Sequence, residues 1–132
     1  DRMVREEKLS LKQAECIKLK DIDTFAGSSI GERIKRAYAY GGVKREQPFV
    51  FEYDRQLVQG VIDLYFIEDG QLVIVDYKTD RVLRGRAGED ELRRRYSIQL
   101  DYYAMALSQI TGLKVKEKVI YSFALGRSLT VE

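Results

Sequence analysis

The chain has 132 residues, enough for one domain with a real core, and 45% hydrophobic and 33% charged residues place it among soluble globular sequences. It contains no histidine and one cysteine, Cys16. That excludes intrachain disulfides, Ser-His-Asp and Cys-His catalysis, histidine-based zinc and four-cysteine metal sites. A net charge of only +2 leaves any case for nucleic acid to local clusters of charge.

No apolar run approaches the ~18 residues of a membrane span and no signal-peptide pattern occurs, so the expectation is a cytoplasmic chain with no membrane contact. An opening at Asp1 without methionine is expected of a piece of a longer polypeptide.

Residues 1–9 are charged. "SLKQAECIKLK" opens on a capping-box pattern, Ser10 with Gln13, and reads as a short helix that carries Cys16 as a small core residue. "SSIGERIKRAYAYGG" repeats the pattern with Ser29 and Glu32, sets its apolar positions Ile30, Ile34, Ala37 and Tyr38 on one face, and stops at Gly41-Gly42. From Pro48 the period changes to that of strands: "PFVFEY", then "LVQGVIDLYFI" and "QLVIVDYK" joined by an Asp69-Gly70 turn.

"RVLRGRAGED" reads as a loop. A long helix should follow, with Glu89, Asp90 and Glu91 in its first turn, where the dipole favours acids. Its stripe is Leu92, Tyr96, Leu100, Tyr103, Leu107 and Ile110, and Gly112 ends it. "EKVIYSFA" supplies a last strand. There is no internal repeat and no linker. The order predicts one α/β (α+β) domain, a sheet covered by helices.

The two central strands carry the chemistry. A two-residue Asp-Gly loop pairs Glu68 with Gln71 and Phe66 with Val73, and the same count sets Asp63 opposite Asp76, with Cβ atoms about 4.5–5.5 Å apart. Lys78 emerges on the same face as Asp76. Opposed like charges between apolar neighbours are costly. A shared proton, a lysine between the carboxylates or a bound cation would each offset them. Lys78 supplies one positive charge for two negatives, and oxygen-only ligands suit magnesium or manganese. A purely structural lysine–carboxylate cluster is the other reading, and spacing alone does not choose between them.

Gly60-x-x-Asp63, Asp76-Tyr77-Lys78-Thr79-Asp80 and Gln99-x-x-x-Tyr103 occur in order and at spacings that resemble the RecB-type branch of the PD-(D/E)xK nucleases. Within that branch the likeness is to the C-terminal nuclease domains of AddAB-type (RexAB) helicase–nucleases. "REQPFVFEY" and "VQGVIDLYF" are similar to that family's segments ahead of the active site, and the resemblance runs from about Ile22 to Tyr121.

It implies a restriction-endonuclease-like core, a mixed sheet with an antiparallel hairpin and flanking helices. Residues 1–45 would be a helical lead-in and 46–132 the catalytic core of a single domain. It implies a Mg2+- or Mn2+-dependent deoxyribonuclease. Asp63, Asp76 and the backbone carbonyl of Tyr77 would hold the metal, and Lys78 would be the catalytic lysine. Gln99 and Tyr103 would assist from the helix, and Glu46 would be auxiliary.

The parent would be a bacterial cytoplasmic enzyme of double-strand-break processing and recombination. It would act on single strands from unwinding and work with the second subunit of an AddAB-type complex. No GxxxxGK[ST] sequence occurs, so ATP would serve only the helicase part of the parent. A catalytically silent DNA-binding or scaffold module is the alternative.

The family usually adds a histidine ligand from a helix that opens the domain. This chain has none, so that helix is expected to precede it, and the activity of the isolated chain is in question. Arg81, Arg84, Arg86, Arg93, Arg94 and Arg95 fall within 15 residues just after the site and are expected to contact phosphates without reading sequence.

Overall fold

The computed structural model describes residues 19–132. The charged opening residues, the Ser10–Gln13 cap and Cys16 lie outside them. The first described helix, α1, spans Leu19–Ala26 and buries Phe25, so helix continues beyond the Lys20 at which the sequence pattern ended. α2 spans Ser29–Ala39. Its N-cap is Ser28 and not Ser29: the Ser28 hydroxyl accepts the Gly31 N–H at 3.1 Å and donates to the Phe25 carbonyl at 2.6 Å. Glu32 therefore does not close a capping box and pairs with Lys35 at 3.4 Å. A Cβ on Gly31 would stand 2.3 Å from the Phe25 carbonyl oxygen, so glycine is what lets α2 start directly against the end of α1.

Five strands form one sheet in the order β1-β2-β3-β4-β5. β1 is Val43–Tyr53, β2 Gln56–Glu68, β3 Gln71–Lys78, β4 Val115–Ser122 and β5 Arg127–Val131. β1 opens five residues before Pro48, where the sequence pattern had started it. Proline is tolerated inside it because β1 is an edge strand. β5, a short edge strand, is an addition to the expected order.

The Asp69-Gly70 loop has positive φ at both residues, 53° and 75°, as a type I′ turn requires. It pairs Glu68 with Gln71 and Phe66 with Val73. A second loop, Asp54-Arg55, takes positive φ at both positions without any glycine and joins β1 to β2.

α3 spans Arg86–Thr111 and crosses over from β3 to β4, which pair in parallel. It begins earlier than the sequence pattern placed it. Only Glu89 of the three acids is in the first turn, and Arg86 belongs to the helix instead of the loop. Gly112 caps its end in the left-handed conformation, with φ 72°.

Each face of the sheet has its own core. Leu92, Leu100, Tyr103 and Leu107 of α3 pack on Ile62, Leu72, Ile74 and Ile120, while Ile110 at the end of the stripe is exposed. On the other face, Phe25 of α1 and Ile30, Ile34 and Ala37 of α2 cover Leu64, Phe66, Val73, Val75 and Tyr121. At the turn end of the sheet, Arg33 of α2 bridges Glu68 and Glu117 at 2.8 Å each, so the helix layer is fixed there by charge as well as by packing.

Candidate active site

β3 is buried over six consecutive residues, Leu72 to Tyr77. Strand alternation places Leu72, Ile74, Asp76 and Lys78 on the α3 face. The first two join the core beneath α3. The same geometry therefore carries Asp76 to the end of that core, where it is 2% exposed.

Asp63 reaches this place by a different route. The β2–β3 ladder is regular from Glu68–Gln71 to Leu64–Val75 and stops there. Ile62 and Leu64, two residues apart, lie in opposite cores, so β2 changes face across Asp63. On β1, the residue across from Asp63 in the register is Glu46, whose φ of 49° is positive for a non-glycine. The two strands depart from regular geometry together. The freed Asp63 carboxylate turns to the β3 backbone and accepts the Tyr77 N–H at 2.8 Å.

Burial, and then the negative charge of Asp76, push the Asp63 carboxyl up from 3.8 to about 7, against the lowering effect of the Tyr77 N–H and of Lys78. Lys78 Nζ stands 2.9 Å from Asp76 Oδ2. The contact is not aligned as a hydrogen bond, which leaves Asp76 Oδ2 a buried oxygen with charge contact but no hydrogen-bond donor. Lys78 instead donates to Gln99 Oε1 at 3.2 Å, and its ammonium sits 4.0 Å from the centre of the Tyr96 ring.

α3 holds that lysine. Tyr96 donates its hydroxyl to Asp80 at 2.6 Å, and Arg95 pairs with Asp80 at 2.8 Å and with Glu91. Burial would raise Asp80, but the bonds from Tyr96 and Arg95 outweigh it and hold the carboxyl below its usual range. Burial and the bond to Asp80 push the Tyr96 hydroxyl up to about 12. Tyr103 packs edge-on against Phe49. Burial and then the charges of Asp76 and Asp63 raise its hydroxyl above the ordinary range, which ties its position to the carboxylate pair.

The fold thus gathers Asp63, Asp76, Lys78, Gln99 and Tyr103 at one place, with Glu46 on the neighbouring strand. Tyr96 and Asp80 belong to the same cluster although the motif pattern gave neither a role. The available signal was spacing: Tyr96, Gln99 and Tyr103 follow one another by three and four residues, one helix face.

The arginines divide. Arg93 is spent on Asp90 and the Thr130 carbonyl, Arg95 on Asp80 and Glu91, and Arg86 makes a loose 3.7 Å contact with Asp90. Arg81, Arg84 and Arg94 are exposed and have no ion pair among the described residues.

The donor set suits a hard divalent ion. Two carboxylates face one ammonium, one carboxyl retaining its proton to about 7 and the other with an unbonded buried oxygen. No cluster of three or more His, Cys, Asp or Glu side chains forms among the described residues. The rest of an oxygen shell would fall to backbone carbonyl, water and phosphate, as is common for magnesium.

The model of the PD-(D/E)XK nuclease superfamily matches residues 8–129. The chain belongs to that superfamily. Its mixed five-stranded sheet with helices on both faces agrees with the α/β restriction-endonuclease-like fold.

Among curated proteins it is similar to an ATP-dependent helicase/nuclease subunit of Thermoanaerobacter sp. (strain X514), at 39% identity over 96% of this chain and 11% of that protein. The same-named protein of Acetivibrio thermocellus is 39% identical over 98% of this chain and 11% of its own length. That of Lachnoclostridium phytofermentans is 33% identical over 98% and 12%. The chain therefore spans about a ninth of the length of these relatives. Among solved structures, protein VC1899 from Vibrio cholerae covers 61% of this chain and 18% of its own, with TM-score 0.35 and 15% identity, a likeness too distant to support any further statement.

No helix among the described residues is long and apolar enough to cross a membrane.

Proposed function

We propose that this nuclease domain hydrolyses phosphodiester bonds of DNA as the nuclease module of an ATP-dependent helicase–nuclease. The parent would work in the bacterial cytoplasm with a second subunit in double-strand-break processing, ATP serving its helicase part. The observation that carries the reading is the carboxylate pair: Asp63 raised to about 7 beside the buried, incompletely bonded Asp76, with Lys78 as the counter-charge.

Asp63, Asp76 and the carbonyl of Tyr77 would hold Mg2+ or Mn2+. A bound ion of this kind supplies Lewis-acid activation of a phosphoryl oxygen and of water. The chain's own residues do the rest. Lys78 places an ammonium, fixed by Gln99 and Tyr96, where negative charge gathers during hydrolysis. Burial around Asp76 excludes bulk water and strengthens these charges. Arg81, Arg84 and Arg94 remain available for backbone phosphates.

Asp76→Ala in the complete helicase–nuclease tests this. Cleavage of labelled DNA should disappear, while DNA binding and ATP hydrolysis continue. Cleavage at the wild-type rate would refute the site. A wild-type complex that binds DNA but never cuts it, with either metal, would favour the silent binding module instead.

A further inference from the structure

Beside the carboxylate pair, a cleft of about 390 Å3 opens between the β1–β2 hairpin and the middle of α3. Its accessible walls are Val58, Tyr102 and the side chain of Ile98 over the nearly buried rings of Phe49 and Tyr103, with Gln59, Gln99 and Arg95 at the rim. Three features distinguish it from a gap in packing.

Ile98 is 66% exposed on the cleft side of a helix that already buries Leu92, Leu100 and Leu107 elsewhere, so it is apolar surface without a structural partner. Gly60 forms part of the cleft, and a Cβ there would meet the Phe49 ring at 3.1 Å and approach Tyr103 at 3.9 Å. The bare backbone therefore keeps the aromatic wall in place. Gln99 belongs to both sites: its Oε1 accepts from Lys78, while its amide N–H2 group has no hydrogen bond among the described residues.

We propose that this cleft receives one unpaired nucleobase of a single DNA strand, next to a phosphate drawn to the Lys78 ammonium. The inference rests on the nuclease reading and narrows it to the form of the substrate. Aromatic and apolar walls bind any base through its face, without sequence preference. The rim amide of Gln99 then offers a hydrogen bond to a base edge, and its other end ties base capture to the lysine. The volume lies at the small end of ligand sites and has room for a base swung out of a strand, and a base whose edge meets Gln99 is one whose edge is not already paired.

The test uses the complete helicase–nuclease, chelated so that no strand is cut, and oligonucleotides that carry one 5-iodouracil moved along the single strand. Irradiation should give an adduct on Tyr102, Tyr103 or Phe49 for one position of the label and its immediate neighbour. An adduct confined to other parts of the protein, or none on this domain, overturns the proposal.

Kinetics supply the second arm. A single abasic residue at the crosslinking position should lower kcat/KM about tenfold. Ile98→Ala should lower kcat/KM for an intact strand by several-fold but leave cleavage of the abasic strand unchanged. Equal effects of Ile98→Ala on both strands would also overturn it, as would evidence that another segment of the parent fills the cleft and blocks the adduct. If the adduct forms but no metal supports cleavage, the nuclease reading fails and the base site stands. Cleavage without the adduct means the reverse.

Discussion

Replacing Asp63 with asparagine should stabilise the metal-free chain, and do so increasingly as pH rises. The wild-type carboxyl is raised from 3.8 to about 7 by burial and by Asp76. Between those values the folded chain keeps a proton that the unfolded chain has released. The unfolded state then binds fewer protons, so stability falls as pH rises through the window. A shift of about 3 units at ~1.4 kcal/mol each sets a ceiling of about 4 kcal/mol on the penalty above pH 7. The asparagine removes the charge and still offers an oxygen to the Tyr77 N–H, so the hydrogen bond seen at 2.8 Å survives.

Urea unfolding in chelator at several pH values measures the difference. Wild type and Asp63→Asn should agree near pH 4, and the variant should lead by about 2–4 kcal/mol at pH 8. Asp76→Asn separates the two raising causes, because the pH dependence that remains in it reflects burial, less the opposing pull of the Tyr77 N–H and Lys78. Added magnesium at pH 8 should narrow the gap by stabilising only the wild type. A gap that stays flat with pH, or a variant less stable at pH 8, would refute the account of the pair.

Lys78→Met removes the ammonium that faces Asp76 and should lower kcat of the complete enzyme about 10²–10³-fold with little change in KM for DNA. Gln99→Ala, which frees the lysine without removing it, should cost less, and steady-state kinetics would show the order. Gly60→Ala sets a Cβ 3.1 Å from the Phe49 ring and should cost about 1–2 kcal/mol in urea unfolding, as overpacking does. Arg81→Ala with Arg84→Ala should weaken binding to every sequence alike and reduce the salt slope for single strands by about 0.7 per lost phosphate contact. A salt slope unchanged by both substitutions would place the DNA path elsewhere.

The central hairpin was legible because its two signals agree, an Asp-Gly turn and apolar runs on either side of it. β3 matches its sequence pattern residue for residue, from Gln71 to Lys78. Where the structure departs from the pattern, a local signal was weak or misleading. The start of β1 reads as charged because residues 43–47 lie on an edge strand with one side open. β5 is short, alternates "RSLTV", and borrows its regularity from β4. The N-cap of α3 is Gly85, which has no side chain to announce a cap, and the acids after it drew the expected start too late.

Within the site, residue types were readable but bonds were not. Nothing in the sequence joins Asp63 to the N–H of a residue 14 positions later, or Tyr96 to Asp80 across a loop. Both bonds depend on how separate elements meet.

That meeting explains why the carboxylates sit where they do. On one side β3 pairs with β4 through to Lys78–Ser122, while on the other its ladder with β2 ends at Leu64–Val75. The last three residues of β3 are thus held from one side only, and Asp63 takes the place of a strand carbonyl in satisfying Tyr77. A fully regular pair would set two carboxylates flat against each other, with no donor for either and a cost that grows with burial. The change of face at Asp63 gives one carboxylate a backbone donor and leaves the other with a lysine held by Gln99 and Tyr96. Pairing over the rest of the hairpin, with a core on each face, bears the strain of that break. The site therefore lies at the point where the sheet stops being regular, and the well-packed strands on either side are what permit it.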